Sequence, residues 1–412
     1  MHAFRFGDGR DWFFSKPFGM FVHWGLYAIP AWHEQVQQRR GMQRAAYEEL
    51  IDSFNPQQFD PDAWLDVAAS AGMTSLCFTT KHHDGFCLWD TRQTDFNVMQ
   101  SPYGKDILGL LAEACQRRGV PLSLYYSIVD WHHPNYPNQG RNHELPGPEP
   151  GDTPDLERYL RFLNEQVREL CTNYGEIHGF WWDNNRTDVR DPSINEMIRK
   201  LQPNAVINDR GFDDGDFGTP ERDYDSYVNE VAAFDRPTQA VESVGHESWG
   251  YKADEDYHAD SYLIRSIDKI LAKGGVYLLN VGPTADGAIP PEAVRILQTI
   301  GRWYAAVNVA FHPAVPAPGE TENRDVLLTR NGNNLYVHLY KPPPTSRVHL
   351  KPIRTLPKQA VLLNTGVPVE TCVDFLPSEA VTDSGHHEYL RLRNLPVNDL
   401  ADTVMVVQLT FD

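Results

Sequence analysis

Over roughly the first three quarters of the chain, short apolar runs of strand length alternate with longer stretches whose apolar residues recur at helical spacing. No other feature restricts the fold as much. Parallel strands need a crossover long enough to hold a helix, so this alternation predicts a parallel α/β architecture. Runs near 18–25, 75–81, 122–127, 179–183, 205–210, 240–244 and 276–281 supply seven strands, and a (β/α) barrel is the expected arrangement of seven or eight such units. The helices carry their own signals. Asp60 is placed to cap a helix with Pro61 at its first position, Trp64, Leu65, Ala68 and Ala71 share one face, and Gly72 can end it. Leu156, Leu160, Leu163, Val167 and Leu170 stack along a second helix over 156–171, and a third is expected over 291–306.

Beyond about residue 308 the period changes. Short alternating runs at 326–329 and 335–340 flank Asn331-Gly332, a strong hairpin signal, and further runs follow at 360–363, 388–392 and 403–410. They predict a C-terminal antiparallel β-sandwich. At 412 residues the chain exceeds the usual size of one domain, so the expected division is a barrel over 1–308 and a sandwich over 309–412.

The formal charge of −19 narrows the partners. Phosphate backbones and anionic membranes are bound through clustered Lys and Arg, so neither nucleic acid nor membrane is expected, and a neutral ligand fits better. No apolar run approaches a membrane span, and the opening residues are aromatic and charged, without the apolar centre of a signal peptide. The five cysteines (Cys77, Cys87, Cys115, Cys171 and Cys372) are odd in number and lack C-x-x-C spacing, so no disulfide framework or zinc knot is expected. A reducing cytoplasm suits them.

Polar residues gather where the apolar runs end: His23, His82, His83, Tyr126, Asp183 and Arg210 each stand at or just past one. A (β/α) barrel builds its active site at the C-terminal ends of its strands, so this repeated placement points to a catalytic cleft. The segment 131–154, rich in Pro, Gly, Asn and His, is too long for a connector and is expected to wall that cleft.

Asp183 follows Gly179-Phe180-Trp181-Trp182, and a carboxylate ending an apolar strand is either a positioned nucleophile or the cap of a following helix. Arg210, one strand later, is either its compensating charge or an ordinary ion pair. The pairs His82-His83 and His132-His133 admit metal ligation. Neither has the spacing that aims two imidazoles at one ion, and neighbours on a strand face opposite ways, so neither a metal nor another cofactor is expected. The preferred reading is that His23 and His82 or His83 bind sugar hydroxyls while Trp24, Trp32, Trp89 and Trp181 stack on apolar ring faces, with core packing as the competing role for the tryptophans. Glycoside hydrolysis needs a second carboxyl group, about 5 Å from the first if configuration is retained. Glu221, Glu242 and Glu34 compete for that part.

Seven segments together resemble the α-L-fucosidases of glycoside hydrolase family 29. They are Phe18-Gly19-Met20-Phe21-Val22-His23-Trp24-Gly25, Thr80-Lys81-His82-His83-Asp84-Gly85-Phe86, Tyr125-Tyr126-Ser127, Trp181-Trp182-Asp183, Asn208-Asp209-Arg210, Ser248-Trp249-Gly250-Tyr251 and the stretch 274–286. The resemblance implies a (β/α) barrel followed by a β-sandwich, no metal, and release of terminal α-L-fucose from fucosylated oligosaccharides or glycosides by double displacement with net retention. It implies that His23, His82, His83 and Tyr126 hold fucose hydroxyls, that Trp181 touches the ring, that Asp183 is the nucleophile and that Arg210 is its neighbouring cation. Glu34 is implied as a further sugar ligand, although this chain reads Glu34-Gln35-Val36 where the family has Glu-Trp-Tyr. Thr219-Pro220-Glu221 matches the segment that supplies the acid/base in some members, and Val241-Glu242 stands where a Trp-Glu pair does so in others. Glu221 is the expected acid/base, with Glu242 at the substrate site. The competing functions are hydrolysis of a related sugar such as an α-L-galactoside, carbohydrate binding without turnover, and metal-dependent hydrolysis.

Overall fold

The computed structural model describes residues 4–183, 189, 191–221, 231–375 and 388–412. Each of the seven expected runs overlaps a strand: β1 (Phe18–Val22), β2 (Leu76–Lys81), β3 (Leu122–Ser127), β4 (Gly179–Asp183), β5 (Val206–Ile207), β6 (Gln239–Ser243) and β7 (Val276–Val281). They form one parallel sheet in the order β5-β4-β3-β2-β1-β7-β6. That is sequence order wound round on itself, with β1 paired to β7, so the sheet curls and leaves β5 and β6 as its edges. Isolated parallel bridges from Asn208 to Phe217, Gly218 to Thr238 and Glu221 to Val241 carry 217–221 between those edges.

The three expected helices are present, two in crossovers and the third after β7. In Pro61–Ser70 the Asp60 carboxylate accepts from the N–H groups of Asp62 and Ala63, and Gly72, at φ +81°, follows its end. Leu156–Asn173 and Pro291–Val307 are the other two. Ile107–Arg118, Pro192–Leu201 and Asp260–Ala272 add to them.

Strand parity divides the core. Successive side chains point to opposite faces, so Phe21, Tyr125, Trp181, Val241 and Leu278 meet inside the curl, whereas Met20, Val22, Leu124, Tyr126 and Trp182 pack outward in the cluster shared with the helices. Burial on both faces is why the strands read as continuous apolar runs.

The C-terminal part is antiparallel. A six-stranded sheet runs Val367–Pro368, Gln359–Leu362, Met405–Thr410, Asn334–Leu339, Leu327–Asn331, Val315–Pro316, and a three-stranded sheet runs Val348–His349, Glu388–Arg393, Glu370–Phe375. Asn331 pairs with Asn334, so the hairpin turns on Gly332-Asn333, one residue later than the sequence signal, with Gly332 at φ +57°. Leu335, Val337, Leu390 and Leu392 share an apolar cluster drawn from both sheets. This part joins the first through a buried contact between His338 Nδ1 and Asp268 Oδ1 at 2.7 Å and a bond from Trp303 Nε1 to the Val404 carbonyl at 3.0 Å. All five cysteines are free thiols. Among the described residues no helix is long and apolar enough to cross a membrane.

Candidate active site

At the C-terminal ends of the parallel strands lies a cavity of about 670 Å³ whose lining includes His23, His82, His83, Tyr125, Trp181, Asp183, Arg210 and Glu221. Register explains the grouping. Tyr125 pairs with Trp181 and Ser127 with Asp183, so these inward-facing side chains stand side by side. Tyr125 stacks on Trp181 at 5.7 Å and on His82 at 5.6 Å, and its hydroxyl donates to Asp183 Oδ2 at 2.6 Å.

Asp183 is the electrostatic centre. Burial pushes its carboxyl towards protonation, but the Arg210 guanidinium, the Tyr125 hydrogen bond and the nearby imidazoles outweigh burial and hold it below the usual aspartate range. Arg210 is fixed by bonds from Nε to Thr219 Oγ1 and from Nη2 to the Thr219 carbonyl, both 2.7 Å, and packs over the Trp181 ring. Its Nη1 reaches Asp183 Oδ1 at 3.5 Å and also donates to Glu221 Oε1. One nitrogen therefore serves both carboxylates.

The histidines are set by their second nitrogens. His23 Nδ1 meets Asn280 Oδ1 at 2.7 Å, and the Asn280 amide nitrogen donates to Ser243 Oγ and the Trp249 carbonyl, so His23 is the donor in that pair. Ser127 Oγ gives its proton to the Val129 carbonyl, so His83 Nδ1 donates to Ser127 at 2.7 Å and Nε2 is the basic nitrogen, 3.6 Å from Asp183 Oδ2. Burial, reinforced by the neighbouring imidazoles, keeps His82 and His83 well below the ordinary histidine range and therefore neutral. His82 Nδ1 and Trp181 Nε1 are buried without a hydrogen-bond partner among the described residues.

The objection that adjacent histidines must face apart does not hold here. β2 ends at Lys81 after a register shift against β3, and beyond the strand both imidazoles turn into the same cavity, their rings 4.0 Å apart. With Asp183 they place ligand atoms within 4.8 Å of one another, a donor set able to hold a metal ion. His132 and His133 lie elsewhere, on Glu48 and Phe96 and on Phe162 respectively.

The segment 131–154 does contribute to the wall, through Asn142 and His143. Its start is anchored by a buried ion pair, Lys81 Nζ to Asp130 Oδ2 at 2.6 Å, while Asp130 Oδ1 caps the N–H groups of His132 and His133. Burial opposes the Asp130 charge, but Lys81 and the two histidines hold its pKa to about 2. Arg44 clamps the far end through a two-pronged contact with Asp152 at 2.7 and 2.8 Å.

A family model for alpha-L-fucosidase matches residues 8–308. The chain belongs to the α-L-fucosidase family. It is 33% identical to α-L-fucosidase isoenzyme 1 from Paenibacillus thiaminolyticus, with a TM-score of 0.84 over 98% of this chain and 100% of that one. A Bacteroides thetaiotaomicron α-L-fucosidase of glycoside hydrolase family 29, trapped as a covalent intermediate with 2-fluoro-fucosyl fluoride, superposes with a TM-score of 0.80 at 25% identity, covering 100% of this chain and 97% of that one. Bovine tissue α-L-fucosidase is 27% identical over 377 residues, 85% of this chain and 79% of the relative. The protein is thus a glycoside hydrolase of family 29.

Within this α-L-fucosidase, two residues expected at the sugar lie elsewhere. Tyr126 faces outward, fully buried, and donates to Gln166 Oε1 on the helix Leu156–Asn173 at 2.6 Å; Tyr125, of opposite parity, is the tyrosine of the cavity. Glu242 also has outward parity. It is 1% exposed, contacts Ser243 N and the Tyr262 hydroxyl, and lies behind the cavity wall that Val241 forms. Glu34 does line the cavity, but its Oε2 already accepts from Ser248 Oγ at 2.8 Å and Trp249 N at 2.9 Å, with Gly250 N at 3.4 Å. It thereby holds Trp249 against His23. Trp24 and Trp89 are core residues, and Trp32 lies under the Arg40 guanidinium; of the four tryptophans expected to stack, Trp181 alone lines the cavity, together with Trp249, to which no role was assigned.

Proposed function

We propose that this α-L-fucosidase removes terminal α-L-fucosyl residues with net retention, Asp183 acting as nucleophile and Glu221 as acid/base. The carrying observation is the shared Arg210 nitrogen. With one contact at 3.5 Å and the other shorter, the two bonded carboxylate oxygens are at most about 6 Å apart, compatible with the separation of a retaining pair and short for an inverting one. Asp183, held ionised, attacks the anomeric carbon as the glycosidic bond breaks, and Glu221 gives its proton to the departing oxygen. For that step Glu221 leaves Arg210, and ionised Asp183 nearby then raises its proton affinity. In the second step the fucosyl ester at Asp183 is cleaved by a water that Glu221 deprotonates. The covalent intermediate of the Bacteroides thetaiotaomicron relative supports this reading. Phe21, Trp181 and Trp249 make an apolar wall suited to the C5 methyl group, which favours fucosides over α-L-galactosides. The same reading takes the curled sheet, with 217–221, as a (β/α) barrel over 1–308, and the C-terminal sheets as a sandwich over 309–412.

Proton NMR of the sugar first released from 4-nitrophenyl α-L-fucoside tests the stereochemistry: the α anomer is expected, and the β anomer would overturn the retaining pair. Activity after prolonged chelation tests the sugar-binding role of His82 and His83. Full activity is expected, whereas reversible loss would make His82, His83 and Asp183 metal ligands.

A further inference from the structure

His143 is a residue of the cavity wall whose conformation and tautomer are both set by neighbouring protein groups. Its backbone is left-handed, φ +59°, a region a non-glycine residue occupies at a cost. The Trp131 indole donates to its carbonyl at 2.7 Å, and Gln38 Nε2 donates to the next carbonyl, of Glu144, at 2.7 Å. Its ring stands 5.4 Å from that of His83.

The tautomer follows from a donor count. Arg39 Nε can only donate, and it meets Gln35 Oε1 at 3.1 Å. The Gln35 amide is thereby oriented, and its Nε2, also a donor, faces His143 Nδ1 at 2.9 Å. Nδ1 must accept. Neutral His143 therefore carries its proton on Nε2, which the bond of Nδ1 to Gln35 leaves without a partner among the described residues, in a residue lining the cavity. Next to it His83 has the reverse arrangement, with Nδ1 donating to Ser127 and Nε2 as the acceptor.

We propose that His143 is a specificity-determining residue that donates, through Nε2–H, to one hydroxyl of the bound fucoside whose own proton goes to His83, and that Gln35 is its positioning residue. A hydroxyl both accepts and donates, so it alone among common substituents satisfies the two imidazoles at once; a deoxy or O-alkylated position leaves one or both unmet. The inference rests on the cavity being the fucoside site and is independent of which carboxylate donates the proton to the leaving group.

The test is a cycle between enzyme and substrate, run on the full chain with 4-nitrophenyl α-L-fucoside and its 2-, 3- and 4-deoxy analogues. His143→Asn tolerates the left-handed backbone and lacks the reach. It is expected to lose roughly tenfold in kcat/KM on the parent substrate and to show a smaller penalty than the wild type on a single deoxy analogue, the remainder being the bond to His83, while keeping the wild-type penalties on the other two. Gln35→Ala should cost less and nothing more in the His143→Asn background. Gln35→Glu keeps the tether but accepts from Nδ1, so in alkaline buffer it moves the proton off Nε2; it should reproduce the His143→Asn substrate profile with an unchanged Tm. Wild-type activity in His143→Asn, equal losses on all the deoxy substrates, or multiplying effects of the two sites would each overturn the proposal. A wild-type enzyme inactive on every fucoside would overturn the site reading instead, and this inference with it.

Discussion

Two histidine–aspartate contacts in this molecule use the same side chains to opposite ends. At the junction between the helix Asp260–Ala272 and the strand Asn334–Leu339, His338 meets Asp268 at 2.7 Å with both side chains fully buried. Thr329 Oγ1 donates to the Ala310 carbonyl and meets His338 Nε2 at 3.0 Å, while Nδ1 meets Asp268. Both of its nitrogens are spent on the protein. In the cavity His83 approaches Asp183 at 3.6 Å, beyond hydrogen-bond range, and spends Nδ1 on Ser127. The pair that holds the fold together closes on itself, whereas in the cavity pair each side chain is held by third residues, His83 on Ser127 and Asp183 on Tyr125.

Removing Asp183 should separate the two regions most sharply. Asp183→Asn is expected to lower kcat on the order of 10⁴-fold with little change in Tm, since the fold does not depend on that charge; near wild-type turnover in the folded variant would remove Asp183 as nucleophile. Glu221→Ala comes next. Cleavage of alkyl fucosides should slow by roughly 10² to 10⁴-fold, aryl fucosides with acidic phenols should be spared in the first step, and azide should restore turnover as a fucosyl azide. Glu242→Ala should show no such rescue, because its carboxylate lies behind the wall; rescue in Glu242→Ala alone would reverse the assignment.

The junction pair predicts the mirror image. Asp268→Ala leaves a buried imidazole without its acceptor and should destabilise the protein by about 3–5 kcal/mol in urea unfolding, while the folded fraction keeps its kcat/KM. A large kinetic defect in that fraction would mean that the junction and the cavity are coupled.

The smallest effects discriminate the tyrosines. Tyr125→Phe removes a hydrogen bond that lowers the Asp183 pKa, so that pKa should rise, moving the acid limb of kcat/KM to higher pH, with a loss of roughly tenfold at the optimum. Tyr126→Phe should leave the pH profile alone and cost about 1 kcal/mol of stability through Gln166. The opposite outcome would put Tyr126, not Tyr125, at the sugar.

Much of this was legible in one dimension. The strands, the capped helix after Asp60, the change of period near 308 and the wall contributed by 131–154 all follow from local pattern and composition, which act over a few residues. His23, His82, His83, Asp183 and Arg210 were legible as a group because each ends a strand, and parallel strands bring such ends together. The misplacements of Tyr126 and Glu242 share one cause. Whether Tyr125 or Tyr126, Val241 or Glu242, faces the cavity depends on parity relative to the neighbouring strand, and register is a pairing property absent from either run alone.

What the sequence by itself determined is therefore the alternation of strands and helices, the family, and a set of strand-end side chains that meet in one cavity. Tertiary structure alone decided which of two adjacent side chains enters the cavity, which histidine nitrogen carries the proton, and that a single Arg210 nitrogen spans Asp183 and Glu221. Those are matters of a few ångströms between residues far apart in the chain, such as Gln35 beside His143, and hydrogen bonds are satisfied only when the chain has closed around them.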